Sequence, residues 1–210
     1  MVFDFQNILI DDDGGHSKSG PVDREINGPL DHLEAGSVRP SVDLGALRIE
    51  PKRGTQLRLD IDKSNNRVIA VTLEHSGSTV QLQPFAAPRS SGLWHGIREQ
   101  IIKQIKGQGG SLSENEGPFG PEVSARVSVQ ADGSFATRDV RFVGIDGPRW
   151  FLRAVIAGKA ATDPEAAEII HNIIRRVVVV RGNMPLPPRE LLPLRVPHSH
   201  DSSARLGGNS

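Results

Sequence analysis

The chain has 210 residues, a length that suits one ordinary domain with tails. Its 25 Lys and Arg residues balance 25 Asp and Glu residues, which excludes the overall surplus of cations that nucleic-acid binding uses to displace phosphate counterions. Cysteine is absent, which excludes disulfides, thiolate nucleophiles and cysteine-ligated zinc or iron–sulfur sites.

Residues 1–41 are predicted to form a flexible N-terminal arm. The start, MVFDFQNILIDDD, has an apolar patch but no basic flank, so it does not have the pattern of a secretory signal. No apolar run reaches the roughly 20 residues needed to cross a bilayer, and we expect a cytoplasmic protein that does not bind membranes. The rest of the arm has isolated prolines and glycines without periodicity, which is typical of segments that cannot offset their ordering entropy.

Four apolar runs predict the first strands. In the second run, Leu57, Leu59 and Ile61 alternate with polar residues, and period 2 of this kind indicates a strand with one wet face. Polar turns containing Asn or Gly separate the later runs and predict hairpins. The runs, in order, are 42–49, 56–61, 67–75 and 79–85.

A change from period 2 to period 3.6 then predicts a helix over 92–106. Its apolar stripe is Leu93, Ile97, Ile101 and Ile105. A serine at 90 or 91 is expected to cap its free amides, and a glycine at 107 or 109 to end it.

The second half repeats this order of strands followed by a helix. Strands are predicted over 123–129, 139–145, 150–158 and 177–180, and the residues between the helix and 122 are expected to form a loop. A second helix is predicted with Thr162 or Asp163 as its cap and Pro164 in its first turn, and with isoleucines at 169, 170, 173 and 174 as its buried stripe. Five prolines between 185 and 197 predict an extended strap.

These elements indicate an α+β fold, with a mainly antiparallel sheet of about seven to eight strands and two amphipathic helices packed on it. The predicted organisation is a flexible arm over 1–41, a single domain over 42–197 that ends in the proline-rich strap, and a disordered tail over 198–210.

Five segments together carry a family resemblance: VDLGALRI, LQPFAAPRSSGLW, EGPFGPE, VRFVGIDGPRWFLRAVIAGKAATDP and VVVVRGNMPLPPRELLPLRVP. In this order they resemble a group of uncharacterised actinobacterial proteins known only as a domain of unknown function, over about residues 28–197. The resemblance implies no particular reaction, ligand or catalytic residue. More loosely, the element order is similar to the Mog1/PsbP-like sandwich, whose members bind other proteins.

No motif with a known mechanism is present. The chain has neither of the phosphate-binding patterns GxxxxGK[ST] and strand–GxGxxG–helix. It also has no GxSxG nucleophile motif and no HExxH zinc motif. We therefore predict no catalytic residue, no metal site and no cofactor.

One weak ligand-binding constellation is predicted, at two turns. Arg89, Ser91 and His95 lie at the start of the first helix, whose free amides attract anions. Arg149 and Trp150 lie in the turn 147–150, and would add a cation and an aromatic platform if both turns lie at one sheet edge. The alternative, which we favour, is that Trp150 packs under the sheet while Arg149 solvates the hairpin end.

The leading functional hypothesis is a non-catalytic protein-interaction or scaffolding domain that uses a sheet face, the arm or the strap. The alternative is a small anionic-ligand binder or enzyme that uses the arginine-lined site just described. We expect a protein partner and no nucleic acid, because the only basic helix face, at Arg98, Lys103 and Lys106, has no aromatic ladder. The oligomeric state is left open.

Overall fold

The computed structural model describes residues 15–36, 42–50, 52–131 and 134–197. Residues 1–14 and 37–41 of the predicted arm, and the predicted tail from 198, lie outside the described residues. In chain order the described elements are α1 (Arg24–Asn27), β1 (Leu30–Asp31), β2 (Val42–Asp43), β3 (Leu47–Ile49), β4 (Gln56–Asp62), β5 (Arg67–His75), β6 (Ser78–Ala86), α2 (Trp94–Gly107), β7 (Ser111–Gly117), β8 (Gly120–Ala131), β9 (Ser134–Asp146), β10 (Trp150–Gly158), a 3-10 helix (Lys159–Ala161), α3 (Pro164–Arg175) and β11 (Val177–Val179).

The predicted α+β class is confirmed, but the described strands form two sheets instead of one. The main sheet has seven antiparallel strands in the order β4-β5-β6-β10-β9-β8-β7. The second sheet has four short strands in the order β1-β11-β3-β2, and β1 pairs with β11 in parallel.

Each face of the main sheet covers its own apolar core. Val143, Leu152 and Ile156 point to the face that packs against α3 and the small sheet. Their alternating neighbours, Phe142 and Phe151, point to the face that packs against α2. Because strand side chains alternate between faces, a strand between two cores is apolar at nearly every position, as β10 is.

Helix α2 has the predicted apolar stripe but not the predicted cap. Ile97, Ile101 and Ile105 are buried against the sheet. The N-cap position is Leu93, and no side chain at that position bonds the free amides. The carboxylate of Asp146 at the end of β9 accepts from the backbone N–H of Leu93 at 2.8 Å, so the cap comes from a distant part of the chain.

Helix α3 begins as the sequence predicts. The Asp163 carboxylate accepts from the backbone N–H of Glu165 at 3.0 Å, and Pro164 occupies the first turn. The buried stripe of α3 is Ala167, Ile170, Ile173 and Ile174, which pack in the core shared with the small sheet.

The proline-rich segment runs extended beside β6. Its backbone bonds to the end of that strand, with Leu192 N–H donating to Pro84 O at 2.9 Å and Ala86 N–H donating to Glu190 O at 2.8 Å. Leu192 is fully buried in the core. These bonds make the segment part of the folded domain, so it is not a free peptide-like arm.

Residues 15–36 differ from the flexible arm expected for them. Leu30 pairs with Val178 in the small sheet, and the Arg24 guanidinium forms an ion pair with Glu34 at 2.6 Å. The strand pairing and the ion pair offset the entropy lost on ordering. Composition alone does not show these contacts, so the segment is ordered despite its polar sequence.

Candidate functional site

The two turns of the predicted constellation do meet at one end of the main sheet. The backbone N–H of Ala87, just before Arg89, donates to the carbonyl of Arg149 at 3.0 Å. Both turns therefore lie at the same edge of the sheet, as a shared binding site requires. Their side chains determine what such a site could bind.

Trp150 is a core residue and not an aromatic platform. Its side chain is 0% exposed, and its indole Nε1 donates to the Asp31 carboxylate at 2.9 Å. The Arg24 guanidinium lies 5.6 Å from the centre of the ring. The N-terminal segment thus covers the tryptophan, which agrees with the alternative that the sequence analysis favours.

The free amides at the start of α2 are already occupied by an anion of the chain itself. Besides Leu93 N–H, the Asp146 carboxylate accepts from Trp94 N–H at 3.4 Å and Ser19 N–H at 3.0 Å. Burial raises the pKa of Asp146, and the three amide hydrogen bonds oppose that shift. An external anion at this helix end would have to displace or approach this carboxylate.

The remaining predicted side chains have different surroundings. Arg89 is exposed and Ser91 is half-buried. His95 lies 3.3 Å from the Glu99 carboxylate, and its ring packs against the tilted ring of His16 with 3.9 Å between ring centres. Arg149 is half-buried near Arg181, whose pKa is lowered by burial and then by the Arg149 charge. None of these residues lines the polar groove beside β8 and β9.

A feature that the sequence analysis missed lies at the opposite side of the main sheet. Residues expected to form a loop make β7, the last strand in the described sheet, which pairs with β8 over seven registered residues. Its polar sequence, SLSENEG, has no apolar alternation that would predict a strand. The turn GPFG, which joins β7 to β8, is the signal that could have indicated a hairpin.

A polar groove follows the face of β7, β8 and β9 that points away from α2. It consists of two adjoining cavities of about 330 and about 380 Å³ that share Ser124, Ala161 and Thr162. The 3-10 helix and the start of α3 form its wall, and Ser113 and Asn115 of β7 contribute to its floor.

Two bidentate ion pairs lie along this floor. Arg126 donates to the Asp139 carboxylate at 2.9 and 3.1 Å, with the side chains 61% and 39% exposed. Arg141 donates to the Glu122 carboxylate at 3.0 and 2.8 Å, with the side chains only 13% and 7% exposed. The two pairs have the same chemistry in very different solvent environments.

Arg141 also joins the floor of the groove to its wall. Its Nη1 donates to the Ala160 carbonyl at 3.4 Å, and its Nη2 lies 3.3 Å from His171 Nε2. Because a guanidinium has only donors, Nε2 of His171 accepts, and Nδ1 carries the ring proton. Burial first, and then the charges of Arg141 and Arg175, lower the pKa of His171 to about 4.

The unfolding free energy is expected to fall as the pH drops from 6.5 towards 4, because in that window the unfolded chain protonates His171 and the folded chain resists it. Solvent screening of a half-buried ring limits the loss to about 1–2 kcal/mol. Denaturant titrations at several pH values in this range should show that the unfolding free energy of His171→Gln depends less on pH than that of the wild type. The same pH dependence in both proteins would contradict the assignment. The comparison cancels the opposite contribution of Asp146, because both proteins contain it.

Glu122, Arg141 and His171 form one hydrogen-bonded cluster. Both oxygens of the Glu122 carboxylate accept from Arg141, and Nε2 of His171 accepts from the same guanidinium. Within the described ranges, no group of three or more His, Asp or Glu side chains is placed to hold a metal ion. None of the described helices has the length and apolar character needed to span a membrane.

The family comparison matches residues 28–203 to a model described as Protein of unknown function (DUF3710). No curated protein gives a significant match. A similar solved structure is titled Solution Structure of Cyanobacterial PsbP (CyanoP) from Synechocystis sp. PCC 6803, with a TM-score of 0.37, 6% identity, and coverage of 69% of this chain and 96% of that chain. A likeness at this level supports no conclusion about function. Since the family match spans well over half of the 210 residues, the chain belongs to the DUF3710 family of proteins of unknown function.

Proposed function

We propose that this protein is a non-catalytic interaction domain, and that the outer edge of β7 accepts an extended segment of a partner protein. The observation that carries the proposal is that β7 ends the main sheet and pairs on one side only among the described strands. An edge strand presents a row of backbone donors and acceptors to which another strand can add. The cytoplasm is the compartment that we expect.

The two edges of the main sheet differ in a way that favours β7. The opposite edge strand, β4, has a register shift between Asp60 and Ile61. Bulges of this kind twist an edge away from further pairing. The β7 register runs without a shift from Ser111 to Gly117, which gives a regular edge about 23 Å long.

The groove beside β7 adds a surface for side chains. A strand that pairs with β7 places alternate side chains on the groove side, next to Ser113 and Asn115. Hydroxyl and amide groups offer hydrogen bonds to small polar side chains. Main-chain bonds would thus supply affinity, and the groove would supply selectivity.

Two observations weigh against the anionic-ligand alternative at the first helix. The Asp146 carboxylate fills the start of α2, and Trp150 is buried beneath the N-terminal segment. A ligand at this end would meet an exposed Arg89 and a half-buried Arg149 beside a carboxylate that the chain itself supplies.

Proline substitutions at adjacent β7 positions test the strand-addition proposal. The N–H groups of neighbouring strand residues point in opposite directions, so one of Ser113→Pro and Glu114→Pro removes an outward donor and the other removes a donor to β8. The expected result is that one variant loses a partner captured by the wild-type chain from lysate of its native cells while keeping its melting temperature. The other variant should be less stable.

Thermal unfolding identifies which proline faces outward. If that stable variant still captures the same partner at wild-type levels, strand addition at β7 is wrong.

A further inference from the structure

The geometry points to the kind of partner segment that β7 accepts: an extended segment with a lysine or arginine on the side that faces α2, opposite Glu116. This inference rests on the proposed strand addition and names the chemistry of the partner.

The two sides of β7 have different charge. Glu114 and Glu116 pair with Val123 and Pro121 of β8, and Val123 packs in the α2 core, so both carboxylates are on the α2 side. The groove side has serine and asparagine in place of charged residues. An added strand would therefore meet acidic side chains on one side and neutral polar ones on the other.

The negative charge is not shared equally between the two glutamates. The Arg98 guanidinium of α2 lies 3.2 Å from the Glu114 carboxylate, with that arginine side chain 16% exposed. Glu116 is exposed and has no ion pair with any described residue. The uncompensated charge therefore lies at the Gly117 end of the strand.

The same charges oppose a second copy of this chain as the partner. Full-length antiparallel self-pairing of residues 111–117 is centred on Glu114, so it places the two Glu114 side chains opposite each other. A register centred on Asn115 places Glu114 opposite Glu116. Like charges opposite each other on paired strands are destabilising, and opposite charges stabilise the pair. A basic segment from another protein would place opposite charges beside the glutamates of β7, whereas a second copy would place like charges there.

The test uses two synthetic seven-residue peptides with blocked ends, one alternating threonine with lysine and one alternating threonine with glutamate. NMR titration of the isotope-labelled chain follows the β7 amides. The lysine peptide should shift these amides in a saturable way that weakens with added salt, and the glutamate peptide should not.

Charge-neutral variants locate the interaction. Glu116→Gln should weaken binding of the lysine peptide about three- to tenfold, and Glu114→Gln should weaken it less because Arg98 already neutralises that carboxylate. Glu74→Gln is the matched control, since Glu74 is an exposed glutamate on the same sheet face but on β5, and it should leave binding unchanged.

Equal binding of both peptides, failure of the lysine peptide to shift the β7 amides, or equal effects of Glu116→Gln and Glu74→Gln would overturn the inference of a basic partner. The proline experiment does not depend on the charge of the partner. Loss of capture there, together with no lysine preference here, would leave strand addition in place and remove only the charge assignment.

Discussion

Methionine in place of Arg141 is expected to lower the free energy of unfolding by about 3–5 kcal/mol. The substitution leaves the Glu122 carboxylate, only 7% exposed, without its cation and without hydrogen-bond donors. It also removes the contacts of Arg141 with Ala160 and His171, which join the sheet to the groove wall. Chemical denaturation at pH 7 measures the loss.

The exposed pair on the same strands is the matched control. Arg126→Met breaks an ion pair of the same bidentate geometry, but water can solvate the Asp139 carboxylate that remains. The expected loss of stability is therefore much smaller than that of Arg141→Met. Equal losses in the two variants would show that burial does not distinguish the pairs.

A double variant separates loss of the pair from loss of packing. Combining Arg141→Met with Glu122→Leu removes both charges, so no unpaired carboxylate stays buried. Much of the stability lost in the single variant should return. If the double variant is as unstable as Arg141→Met, the loss comes from the packing of Arg141 and not from the stranded charge.

The strands and helices that have a buried stripe could be predicted from the sequence. The period of Ile97, Ile101 and Ile105 identified α2, and Asp163 with Pro164 marked the start of α3. Such patterns are visible because one apolar core imposes the same spacing on neighbouring residues. The division of the strands into two sheets was not predictable in this way, because it depends on pairing between distant segments.

Strand β7 and the N-terminal segment were missed because tertiary contacts stabilise them. Most β7 side chains face solvent or the polar groove, so no buried face imposes alternation on SENE. Residues 15–36 are polar and contain glycine, yet Asp31 binds the buried indole of Trp150. A contact across 119 positions of sequence leaves no local signal.

The side chains of the polar groove likewise come from distant segments of the chain. Glu122, Arg141 and His171 come from β8, β9 and α3, and each was unremarkable in its own segment. Trp150 is buried, as the favoured alternative predicted. The cap of α2 was assigned to a nearby serine, whereas the distant Asp146 occupies that position.

Alanine in place of Gly144 is expected to lower the free energy of unfolding by about 3 kcal/mol. A Cβ at this position would lie less than 3.0 Å from three atoms of the Trp94 ring. That ring is fully buried, and its Nε1 donates to the Pro121 carbonyl at 2.6 Å, so it has no free space into which to move. Denaturant unfolding gives the stability loss, and the near-ultraviolet circular dichroism of Trp94 should change with it.

Gly96 provides the matched control for this substitution. It lies inside α2, and a Cβ there would meet no heavy atom within 4 Å. Gly96→Ala should therefore raise the free energy of unfolding by about 0.5–1 kcal/mol, because alanine restricts the unfolded chain and favours the helix. Opposite signs for the two glycine-to-alanine changes are expected only if the Trp94 ring packs on β9 as described. A Gly144→Ala protein as stable as the wild type would contradict the close packing of the Trp94 ring on β9.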